Sequence, residues 1–230
     1  MTQHILLLGA TGATGRLILD EALSRGWRVT AGMRNPEKLE HSADQLTKVE
    51  VDVLKPSGIS AAVEGCTAVI SALGVDNDPK TLASPPPLYT DGHANVVAAM
   101  EKIGVERLVC ISALWSRAND FGPLWFRAGP VMALTRVYSQ MRMMERELAA
   151  HEKLQFTCVR AGYLQDDPIE SAPPAAYAER PPEGHWLTRR ADLARFMVDC
   201  VAEGSWQRAS PCFSQADDGK VMRRNAGNVR

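Results

Sequence analysis

The chain has 230 residues, 45% hydrophobic and 23% charged, with 26 Lys+Arg against 27 Asp+Glu and a net charge of −1. That composition suits a soluble globular protein and offers no general field for nucleic acid or an anionic membrane surface. No run approaches the roughly 20 apolar residues of a membrane span, and the short apolar run Ile5 to Leu8 lacks a signal peptide's basic segment, so the expectation is a cytoplasmic protein.

Taken in chain order, short apolar bursts alternate with helical patterns. Strands are predicted at 4–9, 27–33, 47–53, 67–74, 106–114 and 155–162. Helices are predicted at about 13–25, 56–64, 88–103 and 136–151, with a last helix near 190–203 and a last strand near 209–214. This alternation predicts an α/β fold: a doubly wound Rossmann domain with a mainly parallel sheet in the order 3-2-1-4-5-6 and a small C-terminal extension. One domain is expected over residues 1–216, followed by a polar tail at 217–230. Three segments break the rhythm: the Pro-rich 75–87, the aromatic 114–133, and 163–185 with five prolines. Each follows a predicted strand, so each belongs over the carboxyl ends of the sheet, where open α/β sheets bind ligands.

The first strand runs into "GATGATGR", where Gly9, Gly12 and Gly15 fall three residues apart. Residues Gly9, Ala10, Thr11, Gly12, Ala13, Thr14 and Gly15 form a strand–turn–helix corner. The helix N-terminus there can take a pyrophosphate on its unsatisfied N–H groups. The spacing is GxxGxxG rather than GxGxxG. After the second strand the position that holds an acid in NAD sites is Arg34, with Lys38 a turn later. A guanidinium suits a 2′-phosphate, so the expected cofactor is NADP(H). Asp52 and Val53, at the end of the third predicted strand, suit an adenine edge; Asp52 equally suits capping a helix that begins near Pro56. Ala72, Leu73 and Gly74 end the fourth strand with little bulk and leave room for the middle of a dinucleotide.

The stretches "GATGATGR", "MRNPEKL", "DVLKP", "VISALG", "HANVVAAMEKIGVERLVCISA" and "TRRADLARFMV" together resemble the atypical short-chain dehydrogenase/reductases with NmrA-like NAD(P)-binding domains. Within these they are most similar to the biliverdin-IXβ reductase/flavin reductase group. The resemblance implies NADPH bound in extended form, with the nicotinamide over the carboxyl ends of strands four to six. It also implies that Ser112 lies beside the nicotinamide. The Tyr-x-x-x-Lys pair of ordinary short-chain dehydrogenases is replaced by Tyr138 and Arg142, and the histidine of the reductase group by Tyr163.

The chemistry expected is hydride transfer to a planar acceptor such as a flavin or quinone, with Ser112 and Tyr163 as candidate catalytic residues. Trp115, Phe121, Trp125, Phe126 and Tyr163 are candidates for the acceptor pocket, and the same rings could instead form a dimer contact. Monomer and homodimer both remain open. The alternatives are an NADP(H)-sensing binding protein without catalysis, and a dehydrogenase or isomerase using Tyr138 and Arg142. Five scattered cysteines and five scattered histidines show no metal-ligand spacing.

Overall fold

The computed structural model describes residues 3–76, 78–166 and 172–219. The expected tail lies outside the described residues from 220 onward. Strand alternation sets the architecture. In β1 (His4–Leu8), Ile5 and Leu7 face one side of the sheet while Leu6 and Leu8 face the other, and all four are buried. A strand apolar on both faces is the mark of a parallel sheet covered by helices on either side.

The strands β2 (Arg28–Met33), β3 (Leu46–Glu50), β4 (Ala68–Ser71), β5 (Arg107–Ala113) and β6 (Gln155–Ala161) join β1 in the parallel order β3-β2-β1-β4-β5-β6. This is the expected doubly wound order. The sheet continues past β6 through β10 (Cys212–Ala216) to β9 (His185–Arg189) and β7 (Tyr163–Gln165), with β8 (Ala175–Tyr177) also on β10. β10 is parallel to β6 and antiparallel to β8 and β9. The segment 163–185, expected as a Pro-rich loop, therefore carries two short strands and leads into a third. Their hydrogen-bond partners lie far along the chain, so no local pattern announces them.

On one face α1 (Ala13–Ser24) packs against α7 (Arg190–Ala202), burying Ile18, Leu19, Leu193 and Met197 over Val109 and Ile70. On the other lie α2 (Ile59–Val63), α4 (His93–Ile103) and α6 (Thr135–Ala150), packed on Leu6, Leu8, Val69 and Leu108. Two short helices complete the set, α3 (Pro79–Ala83) and α5 (Leu124–Phe126).

Several expected boundaries move. β3 stops at Glu50, so Asp52 and Val53 lie in the connection beyond it. The helix expected from 56 begins at Ile59, with Gly58 in the left-handed region as its N-cap. Asp52 therefore does not cap it. Its carboxylate accepts from the Leu54 N–H at 3.1 Å and pairs with Lys55 at 3.6 Å. The helix expected from 88 starts as a single π-turn at Leu88–Gly92 before α4. The five cysteines are all free and buried.

Candidate functional site

The glycine turn is built by three different constraints. Gly9 has φ +83°, and a Cβ there would lie 2.5 Å from the Ala72 carbonyl oxygen. Gly15 is the third residue of α1 and sits directly over Gly9, where a Cβ would lie 2.0 Å from the Gly9 carbonyl oxygen. Both are glycine because backbone meets backbone. Gly12 differs. It is the N-cap of α1 with φ −76° and ψ 162°, which any residue adopts, and a Cβ there would meet only the Gly9 oxygen at 3.4 Å.

The protein's own packing does not require Gly12 to be bare. The N–H groups at the start of α1 face no capping side chain, and the first turn holds no acid. Thr11 and Thr14 flank them, and neither hydroxyl is bonded elsewhere among the described residues. A corner with open donors, positive helix-dipole end and no side chain over the cap fits the diphosphate of a dinucleotide.

The neighbouring strand ends add the rest of the cradle. Arg34 is exposed just past β2, and Lys38 ends the 3₁₀ turn Pro36–Lys38, which Asn35 caps by accepting from the Glu37 N–H at 3.1 Å. Neither side chain forms an ion pair or hydrogen bond among the described residues, which leaves both cations available to a 2′-phosphate. Val53 is buried and sits against Gly92, while its carbonyl accepts from Asn95 at 2.9 Å. Ala72 and Leu73 are half-buried, with their backbone against the bare Cα of Gly9, and Gly74 is exposed.

Ser112 is tied into a network inside the protein. It is buried at the end of β5 and donates its hydroxyl to Glu145 at 2.5 Å. Glu145 projects inward from α6 and also accepts from Ser116 at 2.9 Å. Arg160 on β6 grips it from the other side, with Nε 3.0 Å and Nη2 2.5 Å from the carboxylate. Burial works against the Arg160 charge, but Glu145 outweighs it and holds the guanidinium above its ordinary pKa. Glu145 was not a sequence candidate. The available signal was a carboxylate in register with Met141, Met144 and Leu148 on the apolar face of α6.

Tyr138 lies one face-repeat earlier on α6, buried against Trp115 with ring centroids 5.7 Å apart. Burial pushes its phenol well above the ordinary value. Arg142 donates its Nε to the Ser116 carbonyl at 2.6 Å. A dehydrogenase mechanism needs the opposite, a tyrosine acidified by the cation four residues on.

The expected acceptor rings divide into two groups. Trp115, Phe121 and Phe126 are buried, and Phe126 packs on Trp115, Trp186 and Tyr163 with centroids 4.8–5.5 Å apart. Trp186 completes this cluster and was not anticipated. Trp125 at 40% and Tyr163 at 36% exposure present ring surface at its edge, with Leu124 beside them. The cluster is a packed floor, and its outer rim is the part a planar molecule can touch.

His93, from the start of α4, is fully buried. Its Nδ1 lies 3.0 Å from the Leu88 carbonyl and its Nε2 3.0 Å from the Ser71 hydroxyl. The carbonyl can only accept, so Nδ1 carries the proton and Nε2 accepts from Ser71. Burial drives this imidazole down to about 4.

Among the described residues no helix is long and apolar enough to cross a membrane, and no cluster of three His, Cys, Asp or Glu could hold a metal ion.

A family of NAD(P)H-binding proteins matches residues 9–204, from the first glycine of the turn to the end of α7. The chain belongs to this NAD(P)H-binding family. It is 30% identical over 172 residues to an uncharacterized chloroplastic protein of Arabidopsis thaliana, covering 73% of this chain and 61% of that protein. The chain thus spans less than two thirds of that relative's length. Its fold matches an anaerobillin reductase from Escherichia coli O157:H7, with TM-score 0.73 and 21% identity over 92% of this chain and 96% of that one. It also matches a short-chain dehydrogenase/reductase of Veillonella parvula in complex with NADP, with TM-score 0.68 and 18% identity over 95% and 96%. Family and fold together place the chain among NAD(P)H-binding proteins of the Rossmann type.

Proposed function

We propose that this protein is a reductase that binds NADPH and passes hydride to a planar acceptor such as a flavin, a quinone or a related conjugated small molecule. The observation that carries the reading is the open cap at Gly12, a bare position the protein's own packing does not demand. Arg34 and Lys38 support NADPH over NADH, because unpaired cations stand where an acid would repel the 2′-phosphate. The bound dinucleotide supplies the hydride, and the chain supplies binding and orientation.

Ala72, Leu73 and Gly74 would let the cofactor pass close to the ends of β4 and β1. Asp52 and Val53 would border the adenine, although both have local partners. The rim of Trp125 and Tyr163 offers apolar face to a flat ring. Tyr163 is also the phenol placed to hydrogen-bond the acceptor. Ser112 would act through the Glu145 network, keeping the end of β5 in place rather than meeting the substrate directly. A flavin or quinone can draw its proton from water, which fits a site where burial raises the Tyr138 phenol and Glu145 holds the Ser112 hydroxyl. The resemblance to the biliverdin-IXβ reductase/flavin reductase group and the fold shared with an anaerobillin reductase add linear tetrapyrroles such as biliverdin to the acceptors worth testing. The reading requires a compartment that supplies NADPH, and the cytoplasm is the one that fits the sequence expectation.

The test is NADPH oxidation with FMN, FAD, short-chain quinones, biliverdin and simple carbonyl compounds. Turnover with at least one conjugated acceptor and none with aliphatic carbonyls is the expected result. Tight NADPH binding without any turnover would instead support an NADP(H)-sensing role, which the engagement of Ser112 by Glu145 and the buried Tyr138 phenol favour. In that case a protein partner should be gained or lost as NADPH is added.

A further inference from the structure

Beside the Glu145 network lies a group of arginines that the reading above does not use. A cavity of about 450 Å³ opens beside α6, over β6 and the chain leading to β10. That volume falls in the range of small-molecule sites, about 300–1,000 Å³. Arg142 and Arg146 from α6, Arg117 from the loop after β5 and Arg160 from β6 line it, with Phe156 and Ala149 as its apolar part.

The charge does not balance. Glu145, the acid in the wall, is fully engaged by Arg160, Ser112 and Ser116. Arg117 is tied to Glu179 at 2.5 Å. Arg142 and Arg146 are left, one helical turn apart on the same side of α6. The single hydrogen bond of Arg142, Nε to the Ser116 carbonyl, fixes its guanidinium plane and leaves both terminal nitrogens without partners among the described residues. Arg146 has no hydrogen bond or ion pair there. Two like charges at this spacing disfavour the helix by a few tenths of a kcal/mol unless an anion lies between them. The guanidinium fork matches the paired oxygens of carboxylates and phosphates.

We propose that this groove is a second ligand site, taking a small organic anion whose carboxylate or phosphate oxygens bridge Arg142 and Arg146 while its apolar part rests on the exposed Ala149. It is separate from the glycine turn. Three strand steps, from β1 across β4 and β5 to β6, lie between them, roughly 14 Å of sheet. Glu145, Ser116 and Arg160 form its inner wall, so the groove shares three residues with the network that holds the end of β5.

The test is calorimetry of the full chain with citrate and with inorganic phosphate, at low ionic strength and in the presence of saturating NADP⁺. The two titrants separate carboxylate from phosphate recognition. The variant R142Q/R146Q is compared with R28Q/K102Q, which removes the same charge from exposed positions at the start of β2 and in α4. Circular dichroism confirms that both remain folded. Binding of either anion to the unaltered protein, weakened at least tenfold in R142Q/R146Q and unchanged in R28Q/K102Q, is expected. No heat with either anion, or equal loss in both variants, overturns the site. Because the variants assign the heat to the groove, the result stands apart from the dinucleotide reading: a protein that bound no NADP⁺ would still show or lack it.

Discussion

Gly15 stands directly over Gly9, so that a Cβ at the first would lie 2.0 Å from the carbonyl oxygen of the second, whereas at Gly12 the nearest atom would be 3.4 Å away. The three glycines of the turn therefore separate by experiment into packing and binding positions. Gly15→Ala should destabilise the fold by about 1–3 kcal/mol or more, because backbone must move. Gly12→Ala should change stability by no more than about 1 kcal/mol and still weaken NADPH at least tenfold, because its methyl covers the open N–H groups. Urea unfolding and calorimetry measure the two effects. A Gly12→Ala protein that binds NADPH like the parent would remove the main support for the diphosphate cradle.

Arg34 has no hydrogen-bond or ion-pair partner to lose among the described residues. Its replacement by alanine should leave the melting temperature where it was, and the loss should fall on the cofactor alone. Removing a charge-assisted contact to a 2′-phosphate is worth roughly 1.5–3 kcal/mol, about 10- to 150-fold in NADPH affinity. NADH affinity should change little. Equal effects on the two dinucleotides would mean that Arg34 does not read the phosphate.

How far the sequence could be read is itself explained by range. The order of the first six strands and the glycine corner rest on local signals: alternation within five or six residues, and glycines where backbones touch. β7, β8 and β9 escaped because each is held by strands distant in the chain, and because prolines and polar residues crowd their sequence. Among the candidate residues, Ser112 was found but its partner was not. Its hydroxyl meets Glu145, which is 33 positions later, and Glu145 meets Arg160 on yet another element. Trp186 was missed in the same way, since it reaches the aromatic cluster from β9. The Tyr138 spacing was visible, while the burial that raises its phenol was not.

The Glu145–Arg160 pair gives a further prediction about stability. Both side chains are nearly covered, at 9% and 13% exposure. Deleting one partner strands the other's charge, which typically destabilises a protein by about 3–5 kcal/mol. Glu145→Gln should therefore be strongly destabilised, and Arg160→Gln likewise. The double variant E145Q/R160Q should be less unstable than the sum of the two singles. Denaturant midpoints of the four proteins complete the cycle, and strict additivity would show that the pair does not act as a unit.

His93 makes the fold sensitive to acid in a defined window. Burial is the main cause of its lowered pKa, about 4 against an ordinary 6.5, with the hydrogen bond to Leu88 acting in the opposite direction. Between those values the unfolded chain binds a proton that the folded one refuses, so stability must rise with pH across the window. The His93 contribution is complete above about pH 6.5 and falls by roughly 1.4 kcal/mol per unit toward pH 4, a total of the order of 3 kcal/mol. Acid also places a second proton on a ring whose Nε2 accepts from Ser71, at the end of the strand beside the glycine turn. Carboxylates titrate in the same range, so the informative quantity is the difference between the parent and His93→Gln. A glutamine side chain cannot protonate, and the gap between the two proteins in urea unfolding should shift by a few kcal/mol in favour of the variant as pH falls from 7 to 4. A gap that stays constant over that range would show that the buried imidazole does not govern the acid response.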